Sequence, residues 1–411
     1  MNNDIRILRQ LANSYSEIIH DEHNSQRLSL HKAVNDLKMI RPVVLIDELP
    51  WSEMNIYGEL TLHCENSVFR ETELFIRREL YKFRHLRADM VVRPYLPVSK
   101  IIHSTGFGIE IDENTLATSA ENDIVSHEYH DQLSTEKDLE RLHPPTITYD
   151  EVETNCRYQQ IGEAVGDIVP IRKTGIDFLM LRPWDDISTY RGVTPLLIDL
   201  AERPDFCHKL VQKIFDIRMN EAEQYLKLRL YDNDPWSLHC TPIFTDNLPH
   251  GSSNDGPTGF ETIWGRGTAQ IFASVSKNMH EEFDINYMKE TVGRCGLVYY
   301  GCCEPLDRKI DIVEKIPHLR KISITPWADA RIASEAIGKR YVLSSKPNPA
   351  SVAVTVLNEE ELRREIGYIL NACVKNGCSC DITLKDISTC YNHPENIFMW
   401  EKVVMEMVCD F

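Results

Sequence analysis

Two adjacent thiols and a carboxylate, Cys302, Cys303 and Glu304 in the run YGCCEP, are the residues of this 411-residue chain whose types and spacing point most directly to chemistry. Thiolates and a carboxylate suit zinc, and a catalytic zinc site takes three protein ligands and keeps a further position open. Cys390 and His239 join them as candidate ligands, because both sit just past β-rich runs whose ends would face the same side of the fold. No CxxC-type spacing enforces that geometry, and the competing reading is that these are small buried residues closing the top of a barrel. A denser group, Cys373, Cys378 and Cys380, falls at the start of a β-rich run, on the face where residues usually serve stability. His63, His85 and His208 lie in helical stretches and read as structural.

The elements that must position these side chains alternate regularly. Apolar residues Ile5, Leu8, Leu11, Ile18, Ile19 and Leu28 recur at roughly helical spacing and predict leading helices over residues 1–40, packed beneath or beside the main fold. From 41 to 411 short β-rich runs alternate with amphipathic stretches, the signature of a parallel sheet with crossover helices. The runs are PVVLIDEL (42–49), ADMVVRPY (88–95), FLMLRPW (178–184), WSLHCTPI (236–243), GLVYYGCC (296–303), RKISIT (320–325), YVLSS (341–345) and CDITLKDIS (380–388). Eight strands with crossovers close naturally into a (β/α)8 TIM barrel. Insertions at 96–167 and at the Gly, Ser and Asn-rich loop 250–259 would lie on the strand-carboxyl face, as lids, substrate contacts or plain connectors.

Active sites of such barrels collect residues from the strand ends. Here the ends are polar: Asp47 and Glu48, Arg93, Arg182 with Asp185 and Asp186, His239 and Cys240, Lys346, then Lys385 and Asp386. Trp51, Arg182, Gln270, Tyr300, Trp327 and Lys346 are the expected lining of a substrate pocket, the aromatics shaping it and the cations holding an anionic group. Trp51 and Trp327 read equally well as caps on the core.

Lys plus Arg number 45 against 63 Asp plus Glu, a net charge of −18 that would repel phosphate backbones and anionic lipid surfaces. Nucleic acid and membrane are therefore not expected partners. With 42% hydrophobic and 26% charged residues the chain can bury a large core. The opening MNNDIRILRQLANSYSEIIHDEH has no apolar core of a secretory signal, and twelve cysteines without export suggest reduced thiols, so a cytoplasmic location is expected.

Three segments carry a resemblance. WDDISTYRGVTPLLIDLAERPDFCHKLVQKI, FASVSKNMHEEFDINYMKETVGRCGLVYYGCCEP and CDITLKDISTCYNHPENIFMWEKVV resemble the uroporphyrinogen decarboxylase superfamily, in particular its cobalamin (corrinoid)-dependent methyltransferase branch, over most of residues 40 to 410. That branch holds zinc with a His-x-Cys on the fifth strand tip and a second cysteine near the last strand. Cys303 matches the first cysteine and Cys390 is a counterpart of the second, while Gly301 stands where the histidine is expected, so Glu304, Cys302 or His239 would complete the sphere. The decarboxylase branch fits less well: DELPWSEMN replaces its Arg-rich loop, and VVRPYLPV stands where its acidic residue would be.

The resemblance implies a zinc-dependent methyltransferase that moves a methyl group between a small-molecule donor or acceptor and the corrinoid of a carrier protein. No Asp-x-His-x-x-Gly cobalamin motif occurs in the chain, so the corrinoid is expected on that partner. Two other readings stand beside it: a metal-free decarboxylase or lyase using Arg93, Arg182 and Lys346 to hold carboxylates, and a non-catalytic barrel that binds a corrinoid or partner.

Overall fold

Runs of β-branched, aliphatic and aromatic residues such as VVLI, FLML and LVYY are too short for helices and form strands, LVYY buried throughout and VVLI and FLML buried or half-buried, as suits a parallel sheet under crossover helices. The computed structural model describes residues 3–117, 125–249 and 256–411. Its strands, in chain order, begin with β1 (Val43–Ile46). The insertion that follows carries β2 (Leu96–Ser99), β3 (Ile101–Ser104), β4 (Glu113–Ala117), β5 (Val125–Tyr129), β6 (Ile147–Asp150) and β7 (Ile171–Thr174). Then come β8 (Phe178–Leu181), β9 (Trp264–Gly267), β10 (Leu297–Tyr300), β11 (Leu319–Ile324), β12 (Val342–Ser345) and β13 (Ser379–Leu384).

Seven of these form one parallel sheet in the order β1-β13-β12-β11-β10-β9-β8, while the insertion makes three two-stranded ribbons, β2 with β7, β3 with β6 and β4 with β5. The architecture is thus mixed α/β and barrel-like. Among the described residues β1 and β8 do not pair, so backbone hydrogen bonds do not close the sheet. Of the 250–259 loop, residues 250 to 255 lie outside the described residues.

Two expected strands are absent, and in both, apart from one bond to β1, side chains hold backbone groups that a neighbouring strand would otherwise pair. Residues 88–95 run beside β1, where Asp89 meets both backbone groups of Val44: its N–H donates to the Val44 carbonyl at 3.2 Å and its carboxylate accepts the Val44 N–H at 2.9 Å. The side chain of Asn24 then serves both the N–H and the carbonyl of Val92, at 2.8 and 3.0 Å. In 236–243, Asp177 accepts the N–H groups of Trp236 and Ser237, Lys346 donates to the Cys240 carbonyl, and Asn35 and Lys321 donate to that of Pro242. Since each buried backbone group needs one partner, these contacts remove the reason to pair with a strand. The strand that does stand there, β9, reads WGRG, and its two glycines hid it. A Cβ on Gly265 would lie 2.5 Å from Val292 and one on Gly267 2.9 Å from Met288, so only glycine lets the outer layer pack this closely.

Helix α1 (Asn3–Ile19) buries Ile7, Leu8, Ala12, Tyr15 and Ile18 in a satellite cluster with α3 (Ser67–His85), whose N-cap Asn66 accepts the Phe69 N–H. Between them α2 (Asn24–Asn35) sends His31 to the Asp89 carbonyl and Asn35 to the 242–244 backbone. The main core packs the sheet against the helices around it, and two small clusters, Leu238, Ile243, Trp264, Leu297 and Tyr299, and Leu30, Val34, Val43 and Val342, hold further strand residues. No helix among the described residues is long and apolar enough to cross a membrane.

Candidate functional site

The carboxyl ends of β1, β10 and β13 and the 236–243 segment converge on one mouth. There Glu48, His239 and Cys240 bring a carboxylate oxygen, an imidazole nitrogen and a thiol sulfur within 4.8 Å of one another. Ligand atoms around a tetrahedral zinc sit roughly 3.5 Å apart for bonds of about 2.0–2.3 Å, so small side-chain movements would close this set on an ion. Cys302 adjoins it, near enough to His239 for the imidazole to help lower the thiol's pKa. The chemistry of the donor set therefore fits zinc: one imidazole, one carboxylate and thiol sulfur, with soft and borderline ligands together.

Backbone strain is gathered at this mouth. Glu48 (φ 51°), His239 (φ 26°), Cys240 (φ 58°) and Asp386 (φ 56°) all occupy the left-handed region, which costs a non-glycine residue energy unless its surroundings impose it. The impositions are visible: Lys346 holds the Cys240 carbonyl at 2.6 Å, and the N–H of Asp386 donates to Glu48 at 3.2 Å. Gly301 (φ 97°) completes the set; a Cβ there would lie 2.6 Å from Leu306 and 3.2 Å from Ser323. The site expected to carry a histidine by resemblance thus has a backbone and a neighbourhood that require glycine.

The electrostatics favour a thiolate. Cys303 donates its S–H towards Cys302 across 3.7 Å, and with His239, Arg266 and Lys385 it lowers the Cys302 pKa, while Cys303 itself is raised. Lys385 lies 3.4 Å from Cys302 Sγ, 3.8 Å from Cys303 Sγ and 2.7 Å from Asp386. Burial raises the thiol of Cys240 and the carboxyl of Glu48, the latter helped by the nearby Asp386. For Asp386 burial acts upward, but hydrogen bonds with Glu48 and Lys385 outweigh it and the pKa falls. Below the mouth, buried Lys321 pairs with Asp381 at 3.1 Å and burial brings its pKa down to about 8. Arg266, also buried, keeps Nε and Nη2 without a partner among the described residues.

Of the five ligands expected from sequence, the structure brings His239, Cys302 and Cys303 together and turns the other two elsewhere. Glu304 is fully buried and acts as a brace: its oxygens accept from the Thr268 hydroxyl (3.0 Å), the Ala269 N–H (3.1 Å) and the Cys302 N–H (2.9 Å). Cys390 is buried beside Glu53, which accepts its N–H at 2.8 Å and, with burial, pushes the thiol up to about 12. Glu48 and Cys240, polar strand-end residues in the sequence, stand beside His239 where Glu304 and Cys390 were expected, and with it form a group that could hold a metal ion.

The six expected pocket residues sit in different surroundings. Trp327 is 73% exposed, Arg182 pairs with Asp186 at 3.3 Å, and Gln270 bonds Asp185 at 3.1 Å. Trp51 packs edge-on against Tyr81 under Arg78. Lys346 points into the barrel, reaching Ser344 at 2.8 Å as well as Cys240. Tyr300 points away from the mouth, donating to Asp284 at 2.6 Å. It accepts from His280 Nε2 at 2.7 Å, whose Nδ1 takes a proton donor from Lys309 at 3.2 Å. This buried relay includes a π-helical turn, Glu281–Ile285.

No family model matches the chain, and no curated protein matches it. Among solved structures the chain is similar to a methyltransferase from Methanosarcina mazei, with 12% identity over 93% of this chain and 98% of that one and a TM-score of 0.49.

Proposed function

We propose that the chain is a zinc-dependent methyltransferase whose metal is held by Glu48, His239 and Cys240, with Cys302 as a further ligand and Cys303 at its side. The observation that carries this reading is the approach of three ligand atoms of zinc-binding type within 4.8 Å at the mouth of a parallel α/β fold. The resemblance of the sequence to corrinoid-dependent methyltransferases supplies the reaction class. In this reading a carrier protein presents the corrinoid at the mouth, and a small molecule donates or accepts the methyl group.

When bound, zinc supplies Lewis acidity, which lowers a thiol's pKa or polarises a leaving group. The chain's own residues do the rest. Methyl transfer is a displacement: the acceptor's lone pair forms the new bond to carbon while the leaving group departs with its electron pair, so alignment supplies much of the rate. Lys385 and Arg266 offset the negative charge of the thiolates, and Lys346 and Glu304 fix the backbones of Cys240 and Cys302.

One observation favours a second reading. Lys385 Nζ lies close enough to Cys302 to hold its thiolate without any metal, which would make Cys302 itself the group that accepts and passes on a transferred carbon. Metal analysis of the purified protein, with methyl transfer from methylcobalamin to a small thiol measured before and after chelation, separates the two. Stoichiometric zinc and activity lost on chelation and restored by zinc support the first. Activity indifferent to chelation but abolished by Cys302→Ala supports the second, and no transfer under either condition removes both.

A further inference from the structure

Where the second strand is missing, the wall between β1 and the 236–244 segment leaves a cavity of about 230 Å³. Its inner wall includes Cys240, its sides carry the aromatic rings of Phe75, Trp236 and Phe244, and Arg87 stands exposed at its rim. That volume equals roughly seven or eight waters of liquid, or a compact organic molecule.

Two polar groups in its lining lack partners. The guanidinium of Arg93 stacks 5.2 Å over the Trp236 ring and has no hydrogen-bond or ion-pair partner among the described residues. Of the nearby acids, Glu79 pairs with Lys82 at 2.5 Å, and Asp177 feels the charge of Arg93 without forming an ion pair with it while its oxygens accept two backbone N–H groups. The second group is His31, 2% exposed. Its Nε2 faces the Asp89 carbonyl at 2.7 Å, and a carbonyl only accepts, so Nε2 carries the proton. Burial favours the neutral ring, which leaves Nδ1 a bare acceptor, buried and without a partner among the described residues. An orphaned acceptor of this kind costs free energy that a donor from a ligand would recover.

We propose that this slit binds a small aromatic carboxylate bearing one O–H or N–H donor. The carboxylate pairs with Arg93, where a charge-assisted bond is strongest in a partly desolvated setting. The ring fills the space between the aromatic walls, and the donor reaches His31 Nδ1, which is sealed from solvent in this structure, once the side chains over it shift aside. Because Cys240 is shared with the mouth, the bound molecule lies against the donor cluster, but its recognition depends on neither zinc nor the reaction proposed above.

The test is calorimetric titration of the purified full chain with 3-hydroxybenzoate and 4-hydroxybenzoate, repeated with benzoate and with the variant Arg93→Gln. Saturable one-to-one binding of at least one isomer is expected, weakened roughly tenfold or more by Arg93→Gln and several-fold by loss of the ring hydroxyl. Binding persists after chelation, so a failed zinc reading leaves this result standing. The benzoate comparison probes His31 without altering the protein. The inference is overturned if neither isomer saturates below about 10 mM, a limit near −3 kcal/mol of affinity, or if Arg93→Gln or removal of the hydroxyl leaves affinity unchanged.

Discussion

The Nζ of Lys346 donates to the carbonyl oxygen of Cys240 at 2.6 Å, so a buried ammonium holds in place the left-handed residue that carries a candidate ligand. Groups that orient a ligand in this way commonly matter to metal affinity about 10–100-fold. Lys346→Met should therefore weaken zinc binding by that order, measured by competition with a chromophoric chelator. Lys346→Arg should not restore it, because a planar guanidinium does not replace a compact ammonium in a closed space. Unchanged affinity in Lys346→Met would mean that the turn holds itself.

Cys240 and Cys390 separate the geometry from the resemblance. Cys240→Ser should remove most of the metal, whereas Cys390→Ser, whose residue faces Glu53, should keep it. Metal content by mass spectrometry on folded protein reads both. Retention in the first variant with loss in the second would reinstate the pair expected from sequence.

Gly301→Ala should destabilise the fold by about 1–3 kcal/mol, through the left-handed backbone and the collision with Leu306. Denaturant unfolding at neutral pH measures it. A neutral outcome would show that the loop relaxes around a side chain.

Asp284 gives a pH-dependent expectation. Burial raises its pKa from 3.8 to about 8, so the folded chain holds this proton more tightly than the unfolded one. The stabilisation is fully present below about pH 4 and declines as pH rises towards 8. Asp284→Asn cannot titrate, so its stability relative to the parent should rise between pH 5 and pH 8, by at least about 1 kcal/mol. Equal differences at the two pH values would show that the carboxyl ionises freely in the fold.

Six of the sheet strands announce themselves through runs such as VVLI, LRKISI and SCDITL, because burial on both faces demands continuous apolar or β-branched residues. WGRG carried no such signal, since its reason for being a strand lies in Val292 and Met288, distant neighbours that leave no room for a Cβ. VVRPY and WSLHCTPI carried the signal falsely: Asn24, Asp89 and Asp177 had already taken their backbone partners. The mouth was legible as a collection of polar strand ends. What could not be read was rotation, as Glu304 turns inward to brace its loop and Cys390 turns to Glu53. The neighbours His239 and Cys240 beside Glu48 were the available clue, but their convergence depends on a left-handed turn that no residue preference announces.

The use of side chains from α2 to hold distant backbone has a kinetic consequence. Asn35 reaches carbonyls 207 and 209 residues later in the chain, and its own carbonyl receives Arg320 from 285 residues away. These bonds cannot form until most of the chain is available, and contacts of such sequence separation slow folding. α2 should therefore dock late, after the β10 to β13 region has assembled, so its hydrogen bonds to the 242–244 carbonyls would be among the last to form.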